Sequence, residues 1–599
     1  MSVKVHGITV DYSRDNLFDE LGIKRLRESY MREDETSPQE RFAYVSSRFG
    51  SDPDHAQRLY EYSSRHWLSY STPILSFGRS KRGLPISCFL PYLDDSAEGL
   101  VDTLSEVNWL SMLGGGVGIG LGIRSADDKS VGIMPHLRTY DASSLAYRQG
   151  RTRRGSYAAY LDISHPDILI FLEMRKPTGD PNMRALNLHH GINITDDFMQ
   201  LIERCMLDKT ADDTWELKDP HSKEVKDRVS ARDLWQRILE MRMQTGEPYL
   251  HFIDTSNRAM PDFQKKLGLS IRQSNLCSEI ILPTDKQRTA VCCLSSVNLE
   301  YYDEWKKDAT FLKDVAEMLD NVLQYFIDNA PDTISRAKFS AARERSIGVG
   351  ALGWHAYLQR NSIPWESAMA VGRNHQIFKH IKTGLDHANQ ELGKERGEAP
   401  DAAGTGRRFS HLMAIAPNAS SSILMGNTSP SIEPYRANAY RQDTLSGSTL
   451  NKNRYLDAII RLRCEADAKL DYNEVWSSII ANDGSVQHLT DVLDDWTREV
   501  FKTSMEIDQR WLVQHASDRQ QYIDQAQSLN LFFRPDANVK YIHAVHFQAW
   551  KSGLKTLYYC RSEKIGKADK VAKKIERQVI QEIDLKALAE GNECLACEG

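Results

Sequence analysis

The stretch Ser346-Ile347-Gly348-Val349-Gly350-Ala351-Leu352-Gly353-Trp354-His355-Ala356-Tyr357-Leu358-Gln359-Arg360 reads as a strand running into a helix. A short apolar run suits a buried strand, Gly353 punctuates it, and Trp354, Tyr357 and Leu358 then recur at helical spacing. The same alternation lies on both sides. WLSMLGGGVGIGLGIR (109–124) pairs a helix with a glycine-rich strand or turn, and YAAYLDISHPDILIFLEM (157–174) reads as strand, turn, helix. Residues 185–255 repeat the pattern, and HLMAIAPNASSSILMGNTSPSIEP (411–434) gives strand, polar loop, helix. Repeated strand–loop–helix units predict an α/β fold.

Residues 1–65 are predicted as a helical region. ETSPQERFAYVSSRFG opens with Ser-Pro and continues with apolar positions at helical spacing. Residues 66–560 are expected to form the main α/β domain, with helices such as 310–331 inserted. Residues 561–599 change character: a lysine-rich run gives way to small and polar residues, the pattern of a mobile tail.

At 599 residues the chain exceeds one ordinary core. A net charge of −6 offers no global electrostatic case for nucleic acid. No apolar run reaches the roughly 18 residues a membrane helix needs. The charged start MSVKVHGITVDYSRDN is unlike a signal peptide, so the cytoplasm is the expected compartment. The nine cysteines are irregularly spaced, which argues against a secreted disulfide framework.

Chemistry concentrates in a few short motifs. In Asn275-Leu276-Cys277-Ser278-Glu279 an extended backbone would turn Asn275, Cys277 and Glu279 to one face. A carboxylate beside a thiol disfavours the thiolate. A neutral thiol instead suits hydrogen-atom transfer, with the carboxylate as a base toward a substrate hydroxyl. A buried strand cysteine with a chance glutamate is the plain alternative. Cys88 and Cys292 add two thiols able to give two electrons and close a disulfide, if the fold brings them together. Cys293 would point away from Cys292 and is assigned to packing; Cys205, Cys464 and Cys560 carry no motif.

Cys594-Leu595-Ala596-Cys597 is a CxxC near the chain end, without the further Cys or His that zinc needs. A redox pair is the favoured reading, and no metal site is assigned in this chain. Adjacent Tyr558 and Tyr559 are by themselves compatible with packing. Pro417-Asn418-Ala419-Ser420-Ser421-Ser422 places hydroxyls before an apolar run and suits either a helix cap or an anion site. GGGVGIG lacks clean dinucleotide-binding spacing and is a weak nucleotide signal.

In their order along the chain, ETSPQE, STPIL, SCFL, GGGVGIG, RQSNLCSEI, CCLSSVNL, RSIGVGALG, PNASSSILMGN, SIEP, DQAQSLN, GLKTLYY and CLAC resemble the large (alpha, catalytic) subunits of class I ribonucleoside-diphosphate reductases. The likeness runs from about residue 20 to the end. It implies a ten-stranded α/β barrel with the radical cysteine on a central finger loop. It implies that Cys277 forms a thiyl radical, Glu279 draws the 3′-OH proton and Asn275 binds the ribose hydroxyls. Cys88 and Cys292 would be the reducing pair. Tyr558 and Tyr559 would relay a radical from a separate small (beta) subunit that holds the metal or radical cofactor, none being bound tightly here. Cys594 and Cys597 would re-reduce the site, fed by thioredoxin or glutaredoxin. Thr72, Ser87, Pro417, Asn418, Ala419, Ser420 and Ser421 would bind ribose and diphosphate.

Two departures from the family pattern carry expectations. The core begins almost at once, so the N-terminal ATP-cone of many members is expected to be absent. Arg124 to Pro135 is shorter than the family's glycine-rich specificity loop, whereas Tyr147 to Gly155 is unusually basic. Weak or absent effector control is therefore expected, with the usual alpha dimer in question and a monomer as the alternative. Such economy would suit a viral chain working in host cytoplasm. The competing readings are an adenosylcobalamin-dependent reductase, a thiol–disulfide oxidoreductase using the CxxC, and a noncatalytic scaffold. Glycyl-radical relatives would need a terminal radical motif that is not evident.

Overall fold

The computed structural model describes residues 3–80, 83–86, 88–147, 156–444 and 447–562. A short hairpin, Val3–Val5 with Ile8–Val10, precedes three helices, Glu20–Ser29, Pro38–Phe49 and Pro53–Ser64. The second helix begins where the Ser-Pro motif places it. Ser37 caps it, Pro38 supplies a preset φ at its first turn, and Glu40 returns a hydrogen bond to the capping residue. The hairpin was not foreseen within the predicted helical region.

Ten strands then join one sheet. They are β1 Leu68–Tyr70, β2 Cys88–Leu90, β3 Tyr92–Leu93, β4 Gly116–Leu121, β5 Tyr157–Asp162, β6 His189–Ile194, β7 Tyr249–Phe252, β8 Ala290–Asn298, β9 Ile347–Leu352 and β10 Thr556–Leu557. The main order is β9-β8-β2-β4-β5-β6-β7-β10, with β1 on β8 and β3 on β4. β2, β4, β5, β6 and β7 run parallel to one another. β8 and β9 are parallel to each other, and β2 meets β8 antiparallel, as β7 meets β10.

The two sheet edges are joined by chain that forms only isolated bridges. Val349 pairs with Met413 and Ile415 with Gln527, both parallel. Tyr558 N–H then donates to Leu529 C=O, and Leu531 N–H to Tyr559 C=O. The sheet thereby curls into a closed barrel, as the α/β barrel expectation required. Strands covered on both faces read as continuous apolar runs, and all six residues of β4 and of β9 are buried.

The expected strand-to-helix step at 346–360 is β9 followed by Trp354–Arg360. GGGVGIG is barrel wall, with no dinucleotide-binding turn. A Cβ on Gly118 would lie 2.4 Å from Ser274 O and 2.6 Å from Asn275 Cα, so glycine lets a loop press against β4. That loop, residues 273–282, is buried throughout and fills the barrel as the expected central finger. Two of the buried clusters bear on the site. One surrounds the barrel; the other occupies its interior and contains Cys88, Cys277, Cys292, Tyr160, Tyr249, Tyr558 and Tyr559.

Candidate active site

At the finger tip the expectation of an extended segment fails. Ser278 N–H turns back to Asn275 C=O at 3.4 Å, and Ser278 has φ +67°. Asn275, Cys277 and Glu279 therefore stand around a tight turn and meet different partners. The turn is pinned by Tyr160, whose Oη donates to Asn275 O at 2.6 Å and lies 3.1 Å from Ser278 Oγ. Ser528 pins the other side: its Oγ donates to Cys277 O at 2.5 Å and lies 3.1 Å from Glu279 Oε2. Asn275 uses its carbonyl on Ile280 N–H, and its amide donates to Cys88 Sγ at 3.4 Å. Asn275, Cys277 and Glu279 are all completely buried.

Cys88 and Cys292 are register partners across the antiparallel β2–β8 pair. Such partners hold their Cα atoms about 4.5–5.5 Å apart, within the about 7 Å that a disulfide tolerates. Both are thiols here. Burial pushes the Cys292 thiol well above the ordinary cysteine range, reinforced by the neighbouring Cys88, Cys293 and Glu279. Cys293 packs in the outer core with its Sγ toward Leu319 O, as the alternation of a strand predicted.

Tyr558 Oη lies 3.4 Å from Cys277 Sγ. The Tyr558 and Tyr559 rings are 4.4 Å apart between centroids, and Tyr249 packs on both, at 4.8 and 5.1 Å. Tyr559 Oη is 3.3 Å from His189 Nδ1, which is 2.6 Å from Glu247 Oε1. Burial would raise Glu247, but Arg175, His189 and His190 hold it well below the usual carboxylate range. Burial raises the Tyr559 phenol, and Glu247 adds to the effect. Tyr559 thus stays a protonated phenol at neutral pH, and the Arg561 guanidinium sits 4.2 Å from its ring centroid.

Pro417, Ala419 and Ser422 line a cavity of about 460 Å³ together with Tyr558, Tyr559, Glu433 and Asn530. Asn418, at φ +54°, is locked by bonds to Ala351 O, Ala416 O and Ser296 Oγ, and the helix Ala419–Leu424 follows. Ser420 and Ser421 are buried in that first turn. Thr72 opens the helix Thr72–Leu75, with its Oγ1 3.4 Å from Tyr30 Oη. Ser87, Cys594 and Cys597 lie outside the described residues, as does most of the basic loop ending at Gly155.

Tyr160, Ser528, His189 and Glu247 were not singled out from sequence. Ser528 lies within DQAQSLN and Tyr160 within YAAYLD, motifs whose residues look like ordinary barrel wall until the finger is in place. Among the described residues, His55, Asp314 and Glu317 cluster closely enough to suggest a metal. Their atoms are already engaged: Arg58 and Tyr62 bind Asp314, Arg396 binds Glu317, and Ser51 N–H donates to His55 Nδ1. Two arginines at the cluster oppose a cation there. Among the described residues no helix is long and apolar enough to cross a membrane.

Residues 86–405 and 400–560 match the family described as ribonucleotide reductase, barrel domain, and residues 16–83 match ribonucleotide reductase, all-alpha domain. The ribonucleoside-diphosphate reductase large subunit of Invertebrate iridescent virus 3 is 54% identical, covering 99% of this chain and 100% of its own. The putative large subunit of Frog virus 3 (isolate Goorha) is 50% identical, covering 92% and 94%. Among solved structures, the class Id ribonucleotide reductase alpha subunit of Actinobacillus ureae aligns with a TM-score of 0.80 at 34% identity, over 92% of this chain and 98% of that one. A helical region, a barrel closed around a cysteine finger, and these matches over nearly the whole chain place it in one family: the chain belongs to the class I ribonucleotide reductase large (alpha) subunits, the catalytic subunits of that oxidoreductase.

Proposed function

We propose that the chain reduces ribonucleoside diphosphates to 2′-deoxyribonucleoside diphosphates, with each residue acting as follows. A radical arrives from a small subunit at Tyr559 and passes through Tyr558 to Cys277. The Cys277 thiyl takes the substrate 3′-hydrogen, Glu279 draws the 3′-OH proton, and Asn275 orients the hydroxyls. The 2′-OH leaves as water with a proton from Cys88. Cys88 and Cys292 supply two electrons and the hydrogen that replaces the lost hydroxyl at C2′ and become a disulfide. Glu279 returns its proton to the 3′ oxygen, and Cys277 returns the hydrogen atom to C3′ and is again the thiyl. Cys594 and Cys597 then reduce the disulfide by exchange, with thioredoxin or glutaredoxin as the outside reductant.

The observation that carries this reading is the buried run Tyr559–Tyr558–Cys277, in which two phenols in ring-to-ring contact end at a sulfur. A phenol packed on a phenol can hand on one electron with little reorganisation, and the dry surroundings protect a radical from water. Register pairing of Cys88 with Cys292 supports their role as the reducing couple. Thr72, Ser87 and Pro417–Ser422 are the proposed ribose and diphosphate contacts. The adenosylcobalamin and thiol–disulfide readings gain no support beside it. Residues 1–65, 66–560 and 561–599 are the proposed helical, catalytic and tail segments, and host or cell cytoplasm the proposed compartment.

The test is CDP reduction by the purified chain with dithiothreitol, with and without a class I small subunit from the same source, and with adenosylcobalamin alone. Activity requiring the small subunit supports the relay; activity with cobalamin alone would overturn it. Effector control is proposed to be weak, because the Arg124–Pro135 loop is short. A clear change of preferred base with each deoxynucleotide effector would refute that.

A further inference from the structure

The helix Glu20–Ser29 carries a cation that its own surroundings do not satisfy. Its N-cap Asp19 accepts from Gly22 N–H at 2.7 Å and also from the Asn427 side chain, which ties the helix start to the segment just beyond Ala419–Leu424. At Gly22 an added Cβ would lie 3.4 Å from Ile423 O, so the two helices touch closely. Leu26 is the buried inner anchor. At the helix end, Tyr30 Oη reaches Thr72 Oγ1. One helix thus contacts both parts of the proposed ribose and diphosphate site.

Arg25 projects from this helix, partly buried, and its Nη2 donates to Ser420 Oγ at 3.3 Å. Its Nε is buried and has no hydrogen-bond partner. Of the other arginines in the N-terminal region, Arg14 pairs with Glu61 at 2.7 Å, Arg41 with Glu35 at 3.5 Å and Arg58 with Asp314 at 2.7 Å, whereas Arg27, Arg48 and Arg79 show no acid among the described residues. Among the described residues no carboxylate stands within ion-pair distance of Arg25. A guanidinium drawn out of water onto a neutral hydroxyl loses hydration without a counterion, and that cost is recovered when an anion arrives. The Nε and Nη2 hydrogens form the parallel fork that matches two oxygens of one phosphate.

We propose that Arg25 is the cationic ligand of the substrate's 5′-diphosphate, resting on Ser420 until substrate enters. The proposal rests on the reading of Pro417–Ser422 as the diphosphate loop. That loop offers hydroxyls and N–H groups but no positive charge, whereas a diphosphate brings two or more negative charges. Arg25 supplies the missing charge from a segment far away in sequence.

The test uses the full chain with its small subunit and dithiothreitol, measuring CDP kinetics and competition by inorganic pyrophosphate. Arg25→Gln is expected to raise KM at least tenfold with kcat within about twofold, the pattern of lost uniform binding. Pyrophosphate inhibition should weaken by the same factor, and Arg25→Lys should fall between. Unchanged thermal melting of both variants excludes misfolding. Ser421→Ala serves as the loop control. If Ser421→Ala raises KM while Arg25→Gln leaves KM and pyrophosphate inhibition unaltered, Arg25 has no such role and the loop reading stands. If neither variant alters them, the loop reading fails and the Arg25 proposal falls with it. A drop in kcat and melting temperature with unaltered pyrophosphate inhibition would show Arg25 to be merely structural.

Discussion

Tyr558 Oη stands 3.4 Å from Cys277 Sγ, across 281 residues of chain. A phenol just after β10, in the segment that helps close the barrel, thus meets a thiol on the loop that fills it. Tyr558→Phe keeps the ring and its packing on Tyr249 and Tyr559 and removes the oxygen. The weak contact to sulfur contributes about 1 kcal/mol or less, so melting should barely move. CDP reduction with the small subunit is expected to fall at least a thousandfold, while CDP binding by calorimetry stays within about twofold. Retained turnover would remove Tyr558 from the relay.

The Cys88–Cys292 pairing gives a direct chemical expectation. One turnover without reductant should convert both thiols to a single disulfide, detectable by peptide mapping after an acid quench. Cys88→Ser and Cys292→Ser should each abolish multiple turnover. Because burial raises Cys292, its thiolate fraction is small at neutral pH and grows only as pH rises toward the shifted value. Native-state alkylation of Cys292 should therefore be slow at pH 7 and quicken with pH. A disulfide between any other pair would break the assignment.

Gly118 is the point where the barrel wall admits the finger. Ala at this position puts a methyl 2.4 Å from Ser274 O, backbone that cannot swing aside. Gly118→Ala is expected to cost about 2 kcal/mol of stability, in the range for overpacking. It should also lower activity at least tenfold by displacing Asn275 and Cys277. Wild-type activity together with wild-type melting would show that the finger can shift without consequence.

Glu344 should make stability depend on pH. It is buried and accepts from Gln264 Nε2 at 2.8 Å. Burial raises its carboxyl to about 8; Arg288 works against this and Asp401 with it. A folded-state value above the unfolded one means that the folded state holds the proton longer. The stabilising contribution is complete below about pH 4.5 and is lost as pH rises to about 8, on the order of 5 kcal/mol at most. Glu344→Gln mimics the protonated acid and should flatten the unfolding free energy between pH 5 and 8. An unaltered slope in that variant would assign the dependence elsewhere.

Much of the architecture was legible because it rests on local patterns. The apolar run of β9 and the helix after it, the Ser37–Glu40 cap and the opposite facing of Cys292 and Cys293 follow from periodicity and capping chemistry. The finger was less legible. Alternation suggested that Asn275, Cys277 and Glu279 share one strand face, but Tyr160 and Ser528 bend the segment into a turn. A buried turn is stabilised by partners distant in sequence, and no periodicity records them.

The sequence by itself determined which residues are candidates for chemistry: short motifs and the family they resemble single out the thiols, the carboxylate, the tyrosine pair and the serine-rich loop. Tertiary structure decided which of them meet. Barrel closure brings Tyr558 to Cys277, the β2–β8 register sets Cys88 against Cys292, and docking of the first helix lays Arg25 on Ser420. The physical reason is one of range. Capping, alternation and turn chemistry act within a few residues, whereas burial and long-range pairing select partners hundreds of residues apart and leave no local trace.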